Sequence, residues 1–194
     1  MKIEISDITQ MRYEEFLQFK MLGNPNYVFD IIFPDTMSLH METIQIWMEK
    51  IDAFPIYFCI QIINIHTNDF ELICNENSLD FEYIGKCENL KVAILEILNS
   101  ESFSVLFPFI KLTGSMEDLV FWSSRRDCFS VDKKRRPRGL FDLVNINFDV
   151  ETTVFSLIQA GTLLEVYSNS SFFNSYEDIV NSLPDFSIPI KSEE

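Results

Sequence analysis

Histidine and glycine are scarce in this sequence, and each scarcity closes off chemistry. Two histidines in 194 residues leave little for imidazole acid–base pairs or histidine-rich metal sites. The five glycines stand apart at positions 23, 85, 114, 139 and 161, which argues against glycine-rich loops that cradle phosphates. No P-loop, dinucleotide fingerprint, His-Glu-x-x-His or Gly-x-Ser-x-Gly run occurs. Cys59, Cys74, Cys87 and Cys128 form no Cys-x-x-Cys pair, so no metal site and no cofactor is expected, and the thiols are expected reduced and mostly buried. The longest apolar stretch, residues 54–65, is interrupted by Gln61 and Asn64 and is too short to span a bilayer as a helix. The first seven residues alternate polar and apolar where a secretory signal is continuously apolar. A soluble cytoplasmic protein with no membrane partner is expected.

What the chain has in quantity is apolar side chains and acid. Hydrophobic residues make up 47%, with 19 phenylalanines, enough for a sizeable core in one domain spanning residues 1–194. The formal net charge is -15. It is not evenly spread. Residues 125–138 hold seven basic and two acidic side chains, a local +5, against -12 over residues 1–124 and -8 over residues 139–194. The chain reads as an acidic globule with one cationic island. Fields of that kind steer partners and do not specify folds.

The patterning predicts an α+β fold: a mainly antiparallel sheet with helices packed against it. Strands are expected at 2–6, 27–33, 56–65, 70–75, 79–84, 102–112, 119–122, 140–148 and 163–167, and helices at 9–22, at 41–51 with an entry within 34–38, and at 88–98, 149–159 and 176–183. Gly23-Asn24-Pro25-Asn26 is a turn. Residues 125–139 read as a basic loop or exposed edge, and 184–194 as an extended tail. A hairpin of 56–65 with 70–75 sets Cys59 opposite Cys74.

Candidate site residues fall into two groups. The acidic pairs Glu14-Glu15, Glu117-Asp118 and Glu177-Asp178 offer an anionic surface, and Phe172-Phe173 stand in a Ser/Asn-rich loop where an aromatic can anchor an interface. Together they suggest a non-enzymatic protein that inhibits a partner with a basic surface. The alternative is a nucleic-acid- or phosphate-binding adaptor acting through Arg125, Arg126, Lys133, Lys134, Arg135, Arg136 and Arg138. The same basic run suits a nuclear-import signal in a eukaryotic or viral setting. A solvated segment folding onto the chain's own acids is the third reading. His40, beside Glu42, is the residue type a general base would need.

Met21-Leu22-Gly23-Asn24-Pro25, then Tyr27-Val28-Phe29-Asp30-Ile31-Ile32, then Pro55-Ile56-Tyr57-Phe58-Cys59-Ile60 resemble the opening of small bacterial immunity proteins, over about a quarter of the chain. The resemblance implies a compact cytoplasmic protein that neutralises a secreted toxin by binding it. Acidic inhibitors suit toxins made basic by their nucleic-acid substrates, because opposite charge speeds association.

Overall fold

A computed structural model describes residues 1–9, 19–33, 37–87, 89–115, 119–136, 139–158 and 162–192, and within them all side chains except those of 37–40, 87, 114–115, 134–136 and 139–142. The elements run β1 (Lys2–Asp7), β2 (Lys20–Leu22), β3 (Tyr27–Ile32), α1 (Met37–Lys50), β4 (Ile56–Ile63), α2 (Thr67–Glu76), β5 (Phe81–Cys87) and β6 (Leu90–Ile97). They continue as α3 (Ser100–Ser115), β7 (Val120–Ser123), β8 (Phe129–Arg136), β9 (Gly139–Asn147), β10 (Thr153–Ile158), β11 (Leu163–Ser168), α4 (Tyr176–Ser182) and β12 (Ile188–Lys191). The chain is a single α+β domain whose large sheet is mainly antiparallel.

Nine strands form that sheet in the order β12-β1-β3-β11-β10-β7-β4-β6-β5. The β1–β12 pair is parallel, with Lys2 opposite Ile188. A smaller sheet of order β2-β9-β8 lies apart. Side chains on a strand alternate between faces, and here the two faces have different neighbours. Phe58, Ile60 and Ile62 of β4 join a core with Ile44, Trp47 and Met48 of α1, Phe70 of α2, Phe103 and Leu106 of α3 and Ile179 of α4. Cys59 joins a second core with Phe121, Val92 and Ile94, closed by Phe129, Val144 and Ile146 of the small sheet. Helices, large sheet and small sheet are therefore three stacked layers.

Gly23 lets β2 enter this arrangement. Its φ is +72°, and a Cβ there would lie 2.7 Å from Asp149 Oδ1 and 3.0 Å from the Asp149 nitrogen. Only glycine takes both the conformation and the close approach without strain.

Six expectations fail in whole or in part. Residues 88–98 were expected helical but hold β6, which is paired on both sides by β4 and β5; a strand buried on both faces reads as an unbroken apolar run, which periodicity does not separate from a helix. Residues 102–112 lie in α3, with Pro108 inside the helix on its exposed side. Residues 70–75 lie in α2, whose buried residues Thr67, Phe70 and Cys74 fall at helical spacing. Residues 149–159 hold β10, which pairs with β11 and β7. The expected helix over 9–22 gives way at its end to β2, and its residues 10–18 lie outside the described residues. The 59–74 hairpin is absent too: Cys59 sits opposite Ile94 and Phe121, and Cys74 packs in the helix-side core. Cys59, Cys74 and Cys128 are free and buried. Burial pushes the Cys74 thiol up to about 12 and the Cys128 thiol up to about 11.

Candidate functional site

At one end of the large sheet, the turn after α1, the end of β7, the start of β10 and the loop before α4 enclose a cavity of about 270 Å³. Its floor is aromatic. Trp122 stacks on Phe155 with centroids 5.5 Å apart and planes 12° from parallel, and Phe173 meets Phe155 edge-on at 6.1 Å. Phe172 packs edge-on against Phe173 at 4.7 Å yet stays 53% exposed, whereas Phe173 is 2% exposed. The two neighbouring phenylalanines thus split their roles: one fills the core, the other stands at the rim.

The loop that presents Phe172 is held by its polar residues. Ser170 Oγ accepts from the Phe172 nitrogen at 3.2 Å. Glu151 Oε1 accepts from Ser170 Oγ at 3.1 Å, the Ser171 nitrogen at 3.1 Å and Ser171 Oγ at 3.3 Å. The Ser171 backbone N–H, with the two hydroxyls, holds the Glu151 carboxyl below its ordinary range. Asn169 donates to the carbonyls of Phe148 at 2.6 Å and Val150 at 3.0 Å and accepts from the Thr152 nitrogen at 2.7 Å. The Ser/Asn-rich composition is what closes these bonds, since short polar side chains reach nearby backbone.

Asp52 also lines the cavity. The Ala53 nitrogen donates to Met48 O at 3.0 Å and the Asp52 nitrogen to Glu49 O at 3.1 Å, with Asp52 at φ +52°. This is the left-handed helix cap that glycine usually occupies. Arg125 lines the cavity as well. Its Nε reaches Asp127 Oδ1 at 2.9 Å and its Nη2 reaches Oδ2 at 2.6 Å, a two-pronged pairing that holds the Asp127 carboxyl down. Arg126 turns to the other face of the sheet and pairs with Glu82, beside a second recess lined by Tyr57, Asp80 and Glu96.

The structure therefore divides the cationic island. Arg125 and Arg126 fold onto the chain's own acids, as the third reading expected. Residues 129–136 form β8, which among the described residues pairs only with β9 and is an edge strand of the small sheet, the edge weighed for this segment. Lys133 is exposed; the side chains of Lys134, Arg135 and Arg136, and all of Arg138, lie outside the described residues, as do Glu14, Glu15, Glu117 and Asp118. Of the acidic pairs, Glu177 and Asp178 begin α4. Glu177 is exposed, while Asp178 accepts from the Asn174 nitrogen at 3.2 Å and its own nitrogen donates at 3.1 Å to Oγ of Ser175, the N-cap of α4. The side chain of His40 is outside the described residues.

Comparison with family models, with curated proteins and with solved structures found no match. Function has to be read from the residues themselves. Among the described residues no three His, Cys, Asp or Glu side chains gather as a metal ion would require, and no helix is long and apolar enough to cross a membrane.

One pairing escaped the sequence reading. Asp30 on β3 and Glu165 on β11 are directly opposed, on the sheet face away from the helices. Asp30 Oδ1 is buried without a hydrogen-bond partner; Glu165 Oε2 accepts from the Tyr167 hydroxyl at 2.6 Å. Burial raises both carboxyls, and the Asp30 charge raises Glu165 further. The signal was a single acid in each of two apolar strands, but only the β3–β11 pairing unites them. A raised folded-state pKa means that the native state holds its proton more tightly than the unfolded chain. The pair therefore favours folding most below the ordinary carboxylate pKa of about 4, and that contribution falls away as pH rises through the folded values. Asp30→Asn is expected to raise stability at pH 7 by about 0.5 kcal/mol, the scale of a like-charge cross-strand pair, with the gain gone near pH 3. Denaturant titrations of both proteins across that range check it; an equal effect at both ends would show that the pair does not titrate as described.

Proposed function

We propose that the protein is a non-enzymatic binding protein that inhibits a protein partner with a basic surface, in the manner of the immunity proteins its opening residues resemble. The observation that carries this reading is Phe172: a large aromatic, 53% exposed, fixed on a loop by Glu151 and followed by the exposed acid Glu177. Rigid aromatics anchored amid polar surroundings are where binding energy concentrates. The net charge of -15 would draw a cationic partner and quicken encounter. A second reading, nucleic-acid binding, keeps β8 as its support: an edge strand carrying Lys133 to Arg136. Arg125 and Arg126 contribute less to it, being paired already.

The test is affinity capture from native lysate after nuclease treatment, with the intact chain, with Phe172→Ala and with Glu177→Lys. The expected result is a stoichiometric protein partner held by the intact chain and weakened about 30-fold or more by Phe172→Ala, the scale of an interface hot spot. Partners that vanish with nuclease, or that bind the Phe172 variant unchanged, would refute the proposal; the former would move function to β8.

A further inference from the structure

The cavity beneath Phe172 has a size, a charge and a wall that together select an occupant. Clefts for small-molecule ligands run from about 300 to 1,000 Å³; this one, at about 270 Å³, suits a single inserted side chain. Its mouth is anionic. Asp52 and Glu151 both line it; among the described lining residues the one cation, Arg125, makes its two-pronged contact with Asp127, and its charge acts on Glu151 as well, so two carboxylates share the lining with one guanidinium already paired elsewhere. The three donors to Glu151 all reach Oε1; among the described residues no donor sits on Oε2. Asp52 holds a left-handed position at φ +52°, where glycine is the least strained choice. Backbone strain retained at a surface position directs attention to function, and what this position adds over glycine is a carboxylate at the mouth.

We propose that this cavity receives an arginine side chain projected by the protein partner. The inference rests on the binding reading above and specifies its anchor. A guanidinium meets all three features at once. Its planar fork can take Glu151 and Asp52 as acceptors, its face can lie on the exposed ring of Phe172, and its weak hydration lowers the cost of leaving water. Its methylene stem would run over the Trp122–Phe155 floor. Lysine offers the charge without the plane.

The test uses the intact protein and three blocked tripeptides, acetyl-Gly-Arg-Gly-amide and its lysine and citrulline counterparts, titrated at low salt. Binding is followed by the backbone amide resonances of Ser170, Ser171 and Phe172. The expected result is a saturable shift for the arginine peptide, a weaker response to lysine and none to citrulline, which keeps the shape and loses the charge. Asp52→Asn and Phe172→Ala are each expected to weaken the arginine peptide about tenfold, the scale of one charge-assisted bond or cation–π contact. Asp52→Asn keeps a residue tolerant of the left-handed conformation, so it reads the charge without disturbing the fold; Glu151→Gln also loosens the loop and is the secondary variant. Equal response to citrulline, no saturable shift by about 10 mM peptide, or indifference to both primary variants would overturn the proposal. Failure here with Phe172-dependent partner capture intact would remove the arginine anchor and leave the binding function. Arginine binding with no captured protein would do the reverse.

Discussion

Trp122→Ala is expected to cost about 3–5 kcal/mol of folding stability, the range for deleting a large aromatic from a packed core. Trp122 is fully buried. Its indole N–H points at Met48 Sδ at 3.4 Å, its ring stacks on Phe155 and it meets Phe58 at 5.3 Å. It thus joins α1, β4, β7 and β10 at the level of the cavity floor. Total stabilities of about 5–15 kcal/mol are usual for a domain, so the variant stands near the edge of folding. Urea denaturation measures the loss, and hydrogen exchange locates it: amides of α1 near Met48 are expected to lose protection first. A loss below about 1 kcal/mol would mean that the indole is not packed as described.

Phe121→Ala is expected to cost a similar amount, about 3–5 kcal/mol, but to damage a different layer. Phe121 precedes Trp122 on β7 and so faces the other way. It is fully buried, meets Phe19 edge-on at 4.8 Å and belongs to the core closed by Phe129, Val144 and Ile146. In this variant the amides of β8 and β9 are expected to open before those of α1. The paired comparison tests the three-layer architecture directly, because neighbouring residues of one strand are assigned to opposite cores. The same exchange pattern in both variants would contradict it.

The fold class was legible from alternating strands and from turns such as Gly23-Asn24-Pro25-Asn26, and so were β1, β3, β4, β7, β9 and β11. The failures have separate physical causes. Residues 90–97, Leu-Lys-Val-Ala-Ile-Leu-Glu-Ile, are flanked on both sides and covered on both faces, and such a strand has no polar side to reveal its period. Residues 102–112 were expected to be a strand; Pro108 is accommodated inside a helix because its ring lies on the exposed side of α3, where tertiary packing by Phe103, Leu106 and Ile110 outweighs local propensity. The site was legible in part. Phe172-Phe173 and Arg125 stood out by composition and are brought to one cavity. Asp52 and Glu151 did not stand out, because each is a lone acid in its segment, and only the fold sets both in the lining of one cavity.

The pairing of β3 with β11 joins residue 27 to residue 168, and this has a consequence for how the chain is made. During synthesis β1 and β3 precede β11, and the strand that joins them to β10 and the rest of the sheet is not present until residues 163–168 have been added. Meanwhile β4, β5, β6 and β7 can assemble from contiguous sequence. The nascent chain therefore carries an unpaired β3 edge while residues 33–162 are added, the kind of surface that invites misassociation, and the long chain closure between residues 27 and 168 makes a slow folding step the natural outcome of the topology.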